Sequence, residues 1–163
     1  MLKQSIQDAI NEQIKNELYS SYLYLAMSAH FEADGFSGFA SWTREQAKEE
    51  VEHAMKFFDY IADRGGRIIL KAIDQPPVEY GTPLEVFEMV LEHEKKVTAL
   101  IHSLYALALK ENDYATQVML HWFIEEQVEE ESSAGAMVDQ LKMAGDQKGA
   151  LMQLDHMAFR GQS

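Results

Sequence analysis

The stretch "EEVEHAMKFF" (Glu49 to Phe58) sets three carboxylates and an imidazole in a run that ends on aromatic residues seeking a core. Nothing in it breaks a helix. Glu50 and His53, three residues apart, share one helical face with Phe57. The run therefore reads as an amphipathic helix whose buried stripe contains an acid. A second run, "WFIEEQVEEE" (Trp122 to Glu131), repeats the pattern with five glutamates behind an aromatic lead-in.

Outward from these runs, proline and glycine divide the chain. One helix is expected from about Ser5 to Ala33, ahead of Gly35, and a second from Ser37 to Arg64, stopped by Gly65 and Gly66. "RIILKAIDQPPVEYG" (Arg67 to Gly81) reads as an extended crossover. "TPLE" is a helix start, with Thr82 as N-cap, Pro83 in the first position and Glu85 closing a capping box. That third run ends near Asn112. A fourth spans about Asp113 to Ala144, and "DQKGALMQLDHMAF" (Asp146 to Phe159) gives a short fifth. Runs of roughly 28 residues make helices of roughly 42 Å. Short links join the first helix to the second and the third to the fourth, while the crossover lets the second and third lie parallel. The expected class is all-α: a four-helix bundle with one long crossover and a short C-terminal fifth helix. Residues 1–163 are expected to form a single domain, with the bundle at about 5–144 and the fifth helix at about 146–159.

The chain has 163 residues, 47% apolar and 25% charged, and 14 Lys plus Arg against 27 Asp plus Glu give a net charge of −13. That balance argues against binding a phosphate backbone and suits attraction of cations. No nucleic-acid partner is expected. Cysteine is absent, which removes disulfides, thiolate zinc sites and iron–sulfur clusters from consideration. The start, "MLKQSIQDAINEQ", lacks the apolar core of a signal peptide, and no run is apolar enough to span a bilayer. A cytoplasmic protein without a membrane partner is expected.

Register decides where the acids point. The third-helix seam reads Phe87, Val90, Glu94, Val97, Ile101, Leu104, Ala108. The fourth reads Leu120, Phe123, Gln127, Glu130, Ala134, Met137, Leu141. The second gives Phe39, Thr43, Gln46, Glu50, His53, Phe57, Tyr60, and the first Ile10, Ile14, Glu17, Ser21, Tyr24, Ser28, Phe31. Each helix aims a glutamate inward near its midpoint, and no lysine or arginine occupies a seam. Any one such glutamate is ordinarily solvated. Four on four seams point instead to a common counterion, because each unpaired buried carboxylate costs several kcal/mol.

Four carboxylates balance two divalent cations. The donor set of oxygens and one imidazole suits iron or manganese. Glu50 is placed to bridge the two ions, with Glu17 and His53 completing one side and Glu94 and Glu130 the other. Tyr24, on the face of Glu17, reads three ways: hydrogen-bond partner of a ligand, electron donor, or packed core residue. His30, His93, His102, His121 and His156 read as surface or structural, the nine methionines as packing residues, and Glu45, Glu52 and Glu131 as outside. Ile68, Ile69, Leu70 and the amphipathic tail "ALMQLDHMAF" want a docking surface, which implies an oligomer.

The chain resembles the non-haem ferritins of bacteria and archaea over nearly its whole length. The motifs that carry the resemblance are "NELYSSYLYL" (Asn16 to Leu25), "EEVEHAMKFF", "RGGR" (Arg64 to Arg67), "EHEKKVT" (Glu92 to Thr98) and "EEQVEEE" (Glu125 to Glu131). The resemblance implies a ferritin-like di-iron carboxylate bundle in a hollow 24-subunit shell. It implies ferroxidase activity, with Fe(II) oxidised by dioxygen or hydrogen peroxide and ferric mineral stored inside. Carried over residue by residue, it implies a first iron site at Glu17, Glu50 and His53 and a second at Glu50, Glu94 and Glu130, with Gln127 hydrogen-bonding nearby. It further implies a third iron site at Glu49, Glu126 and Glu129, joined by Glu130. Bacterioferritins carry a second Glu-x-x-His where this chain runs from Gln127 to Glu130, and a haem-binding methionine where it has Val51, so no haem is expected. Rubrerythrins need a cysteine-bound iron, which this chain cannot supply.

Overall fold

The computed structural model describes residues 1–159; residues 160–163, which the expected domain includes, lie outside the described residues. Five helices follow in order: α1 (Gln4–Ala33), α2 (Ser37–Asp63), α3 (Pro83–Lys110), α4 (Tyr114–Ala144) and α5 (Lys148–Met157). Their starts and stops follow local chemistry. Thr82 Oγ1 accepts the Glu85 N–H at 3.3 Å, and Glu85 Oε2 accepts the Thr82 N–H at 2.7 Å, closing the capping box. Asp113 is the cap of α4 rather than its first residue, its Oδ1 accepting the Thr116 N–H at 3.0 Å. Gly65 ends α2 at φ 68°, where a side chain would be strained. The α3–α4 turn has no glycine, and Asn112 takes the left-handed conformation instead at φ 54°.

α1 pairs with α2 and α3 with α4 as two hairpins, and the buried apolar residues form two clusters rather than one. The first gathers Met27 and Phe31 of α1, Phe39 of α2, Phe87 of α3 and Val138 of α4. The second gathers Ile6 and Ile10 of α1, Phe57 and Ile61 of α2, Ile101 of α3 and Leu120 of α4. The late part of α1 thus meets the early parts of α2 and α3, so α2 and α3 run parallel, as the crossover requires. The polar seam residues lie in the waist between the two clusters. Three seam positions differ from expectation: Ser21, Tyr60 and Met137 are half-buried, while Ser20, Ile61 and Val138 are buried. A straight helix turns every 3.6 residues, so a stripe read at 3.5 falls one position short toward the C-terminal ends, as at Tyr60 and Met137.

The crossover is pinned to α1 where it begins. Asn11 Nδ2 donates to the Arg67 carbonyl at 2.9 Å, and Asn11 Oδ1 accepts the Ile69 N–H at 2.9 Å. Ile68 packs against the second cluster, while Ile69 and Leu70 are exposed. The fifth helix is two residues shorter at each end than 146–159. It packs on α2 and α4 with no buried residue of its own. Asp155 Oδ1 accepts the Phe39 N–H at 2.9 Å, supplying the cap that α2 lacks locally. Gly38 makes the approach possible, since a Cβ there would sit 1.6 Å from the Asp155 carbonyl oxygen.

Candidate metal centre

Each bundle helix delivers one carboxylate to the waist. Glu17 is 1% exposed, Glu50 1%, Glu94 0% and Glu130 7%. Glu17, Glu50 and His53 offer ligand atoms all within 4.8 Å of one another, and so do His53, Glu126 and Glu130. His53 Nδ1 lies 3.2 Å from Glu50 Oε2, and His53 Nε2 lies 3.9 Å from Glu126 Oε1. His53 therefore belongs to both groups.

The acids are held by neutral donors. Gln13 Nε2 donates to Glu17 Oε1 at 3.0 Å, Gln46 Nε2 to Glu130 Oε2 at 2.7 Å, and Gln127 Nε2 to Glu94 Oε2 at 3.1 Å. The Tyr24 hydroxyl donates to Glu94 Oε1. No lysine or arginine ion pair reaches Glu17, Glu50, Glu94 or Glu130 among the described residues, though such pairs form elsewhere, as at Arg64–Asp113. Glu17 Oε2 is buried without a hydrogen-bond partner among the described residues. An orphaned carboxylate oxygen beside an imidazole and a second carboxylate is what a hard cation needs and what a closed polar core avoids.

Electrostatics point the same way. Burial, then the charge of Glu50, hold the Glu17 carboxyl well above the usual carboxylate range. Burial does the same for Glu50, with the charges of Glu94 and Glu130 adding to it. Burial raises Glu94 against the Tyr24 and Gln127 hydrogen bonds, and burial with the Glu94 charge pushes Glu130 to about 7. Burial and the adjacent acids raise the Tyr24 phenol as well. Unbound, these acids retain protons that a cation would displace.

Beyond the waist, Glu49, Glu126, Glu129 and Glu130 line one cavity of about 300 Å³ with Trp42, Gln46 and Ser133. The acids assigned to a third site by resemblance thus share one space, Glu129 being exposed and Glu49 and Glu126 half-buried. Glu131 is not outside: it is half-buried and accepts a hydrogen bond from Thr98 at 3.0 Å. His93 is structural, its Nε2 lying 2.7 Å from Ser20 Oγ, with burial lowering its pKa to about 4. Sequence reading missed Gln13 and Trp122. Gln13 sits one turn before Glu17, a spacing that signals an i,i+4 partner. The Trp122 ring meets His53 edge-on at 5.4 Å, with Lys56 Nζ 4.1 Å above it.

Comparison with known proteins places this geometry. The model of the family described as a ferritin-like domain matches residues 7–144. The chain belongs to the ferritin family. It is 51% identical to the bacterial non-heme ferritin of Bacteroides fragilis over 146 residues, covering 90% of this chain and 92% of that one. It is 42% identical to that of Staphylococcus saprophyticus over 151 residues, 93% of this chain and 90% of that one. Its fold superposes on the open pore ferritin of the hyperthermophilic archaeon Archaeoglobus fulgidus with a TM-score of 0.98. That match is 45% identical and covers 99% of this chain and 100% of that one. As in other ferritins, the function is iron storage, and iron oxidation at a di-iron centre is typical of the family. No helix among the described residues is long and apolar enough to cross a membrane.

Proposed function

We propose that the waist is an intrasubunit ferroxidase site whose substrate is a pair of Fe(II) ions. Glu17, Glu50 and His53 hold the first ion, Glu50 bridges, and Glu94 and Glu130 hold the second, with Gln127 and Tyr24 hydrogen-bonded to Glu94. Glu49, Glu126 and Glu129, with Glu130, take iron at a third site, in the acid-lined cavity next to the pair. The observation that carries this reading is four buried carboxylates from four helices with no lysine or arginine paired to them among the described residues.

The protein's part in the chemistry is charge, spacing and proton handling. Two Fe(II) each give up one electron to a single oxidant. Dioxygen takes both with two protons and leaves as hydrogen peroxide, or hydrogen peroxide takes both with two protons and leaves as two waters. Pairing the electrons in one site keeps a one-electron oxygen species from forming. The protons that Glu17, Glu50 and Glu130 shed as iron enters leave those carboxylates charged for the metal. Ferric product then moves to the interior of a cytoplasmic 24-subunit shell, for which the apolar residues left exposed at Ile69, Leu70, Met152 and Met157 supply contact surface.

The test is stopped-flow absorbance on mixing Fe(II) with oxygenated protein. Glu50→Ala is expected to lose the fast phase, and an unchanged fast phase would overturn the assignment. Anomalous diffraction from crystals soaked anaerobically in Fe(II) identifies the ligands directly. Light scattering giving a monomer or dimer would remove the storage role.

A further inference from the structure

We propose that Thr98 is a positioning residue for the iron site, acting on Glu94 through Gln127 with Glu131 as its anchor; this rests on the di-iron reading above. Four side chains form a closed rectangle between α3 and α4. Glu94 and Thr98 lie one turn apart on α3, and Gln127 and Glu131 one turn apart on α4. Thr98 Oγ1 is 3.0 Å from Glu131 Oε2, 3.0 Å from the Glu94 carbonyl and 3.2 Å from Gln127 Nε2. Gln127 Nε2 is in turn 3.1 Å from Glu94 Oε2 and 3.2 Å from the Glu94 carbonyl.

Counting hydrogens assigns the direction of each bond. A hydroxyl has one hydrogen, a carboxylate none, and an amide nitrogen two with nothing to accept. Gln127 must therefore donate to Thr98, and the threonine hydrogen must go elsewhere. The carboxylate of Glu131 is the stronger acceptor, and the Glu94 carbonyl already serves the helix. With its hydrogen drawn to Glu131, Thr98 offers Gln127 only a lone pair. The opposite amide orientation would set Gln127 Oε1 against that lone pair and against the Glu94 carboxylate. Thr98 and Glu131 thus hold the amide with its donor on Glu94, so that Tyr24 and Gln127 together fix both Glu94 oxygens. The hydroxyl does this without touching substrate.

Thr98→Val keeps the shape of the side chain and removes the hydroxyl, and Thr98→Ser restores it. The experiment titrates metal-free protein anaerobically with Co(II), following heat and visible absorption. The parent is expected to take two ions per subunit in the waist. Thr98→Val should bind the first ion unchanged and the second about tenfold more weakly, with an altered second-step spectrum. Thr98→Ser should return both ions to within about twofold of the parent. If Thr98→Val does not fold, Thr98→Ala carries the same expectation. The proposal falls if the hydroxyl-free variants bind both ions as the parent does, or if Thr98→Ser is no better than Thr98→Val. If the parent itself takes up no pair of ions, the di-iron reading falls and this one with it.

Discussion

Glu17 on α1 and Glu50 on α2 bring carboxylate oxygens within 4.8 Å of each other at 1% exposure each, and neither has a lysine or arginine partner among the described residues. Two like charges so placed cannot both ionise cheaply. The neighbouring Glu94 and Glu130 extend the problem around the waist.

Metal-free protein should therefore lose stability as pH rises. Four carboxyls have folded pKa values raised above the unfolded value, Glu130 to about 7. The folded state binds more protons than the unfolded one between the two values, so stability falls with pH across that window. For Glu130 the window runs from about 4.5 to about 7, a loss of about 3 kcal/mol. His93, lowered to about 4, works in the opposite direction between there and 6.5, but it is one group against four. Thermal melts in chelator should show a lower midpoint at pH 7.5 than at pH 5. A midpoint that rises over this range contradicts the expectation.

Substituting a single site acid should separate stability from binding. Glu50→Gln keeps the volume and removes a carboxyl that must hold a proton to stay buried, so the metal-free midpoint at pH 7.5 should rise, by roughly 1–3 kcal/mol in stability. Adding Zn(II) should raise the parent's midpoint, because an ion that binds only the folded state stabilises it in proportion to the logarithm of its concentration. The variant should gain little. Paired melts with and without Zn(II) measure both.

Asp113→Ala should be among the costlier changes outside the waist. Asp113 caps α4 and receives both Arg64 nitrogens, Nη1 at 3.0 Å on Oδ1 and Nη2 at 3.2 Å on Oδ2. Losing the cap and the charge-assisted pair together costs about 3 kcal/mol. Chemical denaturation should show it as a lower midpoint with an unchanged slope. Arg64→Lys, which cannot bind both oxygens in parallel, should recover only part of the difference from Arg64→Ala.

Gly38→Val should detach α5 while leaving the bundle folded. The added side chain meets the Asp155 carbonyl, which is backbone and cannot swing aside. Limited proteolysis should then cut in the turn at 145–147 faster than it does in the parent. Equal protection in both proteins would show that α5 is held in some other way.

Much of this was legible in the sequence, for a definite reason. Breakers and caps act locally, so Gly65, Thr82 and Gly145 marked the helix ends to within a residue or two. The acids on the seams stood out because a charge where hydrocarbon belongs is rare. Partners across the bundle were harder. Nothing in one helix says that Gln46 will face Glu130 or that Thr98 will meet Glu131, since those contacts depend on how two hairpins dock. Gln13 could have been found by its spacing from Glu17. Asp155 could not, because it reaches α2 from more than a hundred residues away along the chain.

Apolar packing at both ends and a buried, acid-rich girdle between them divide the subunit into thirds of different character. Backbone amides in the outer thirds are expected to exchange with solvent more slowly than those of the girdle, where apolar packing is interrupted. Without a cation there, the subunit stays knitted at either end, while its centre is held by neutral amide and phenol donors alone.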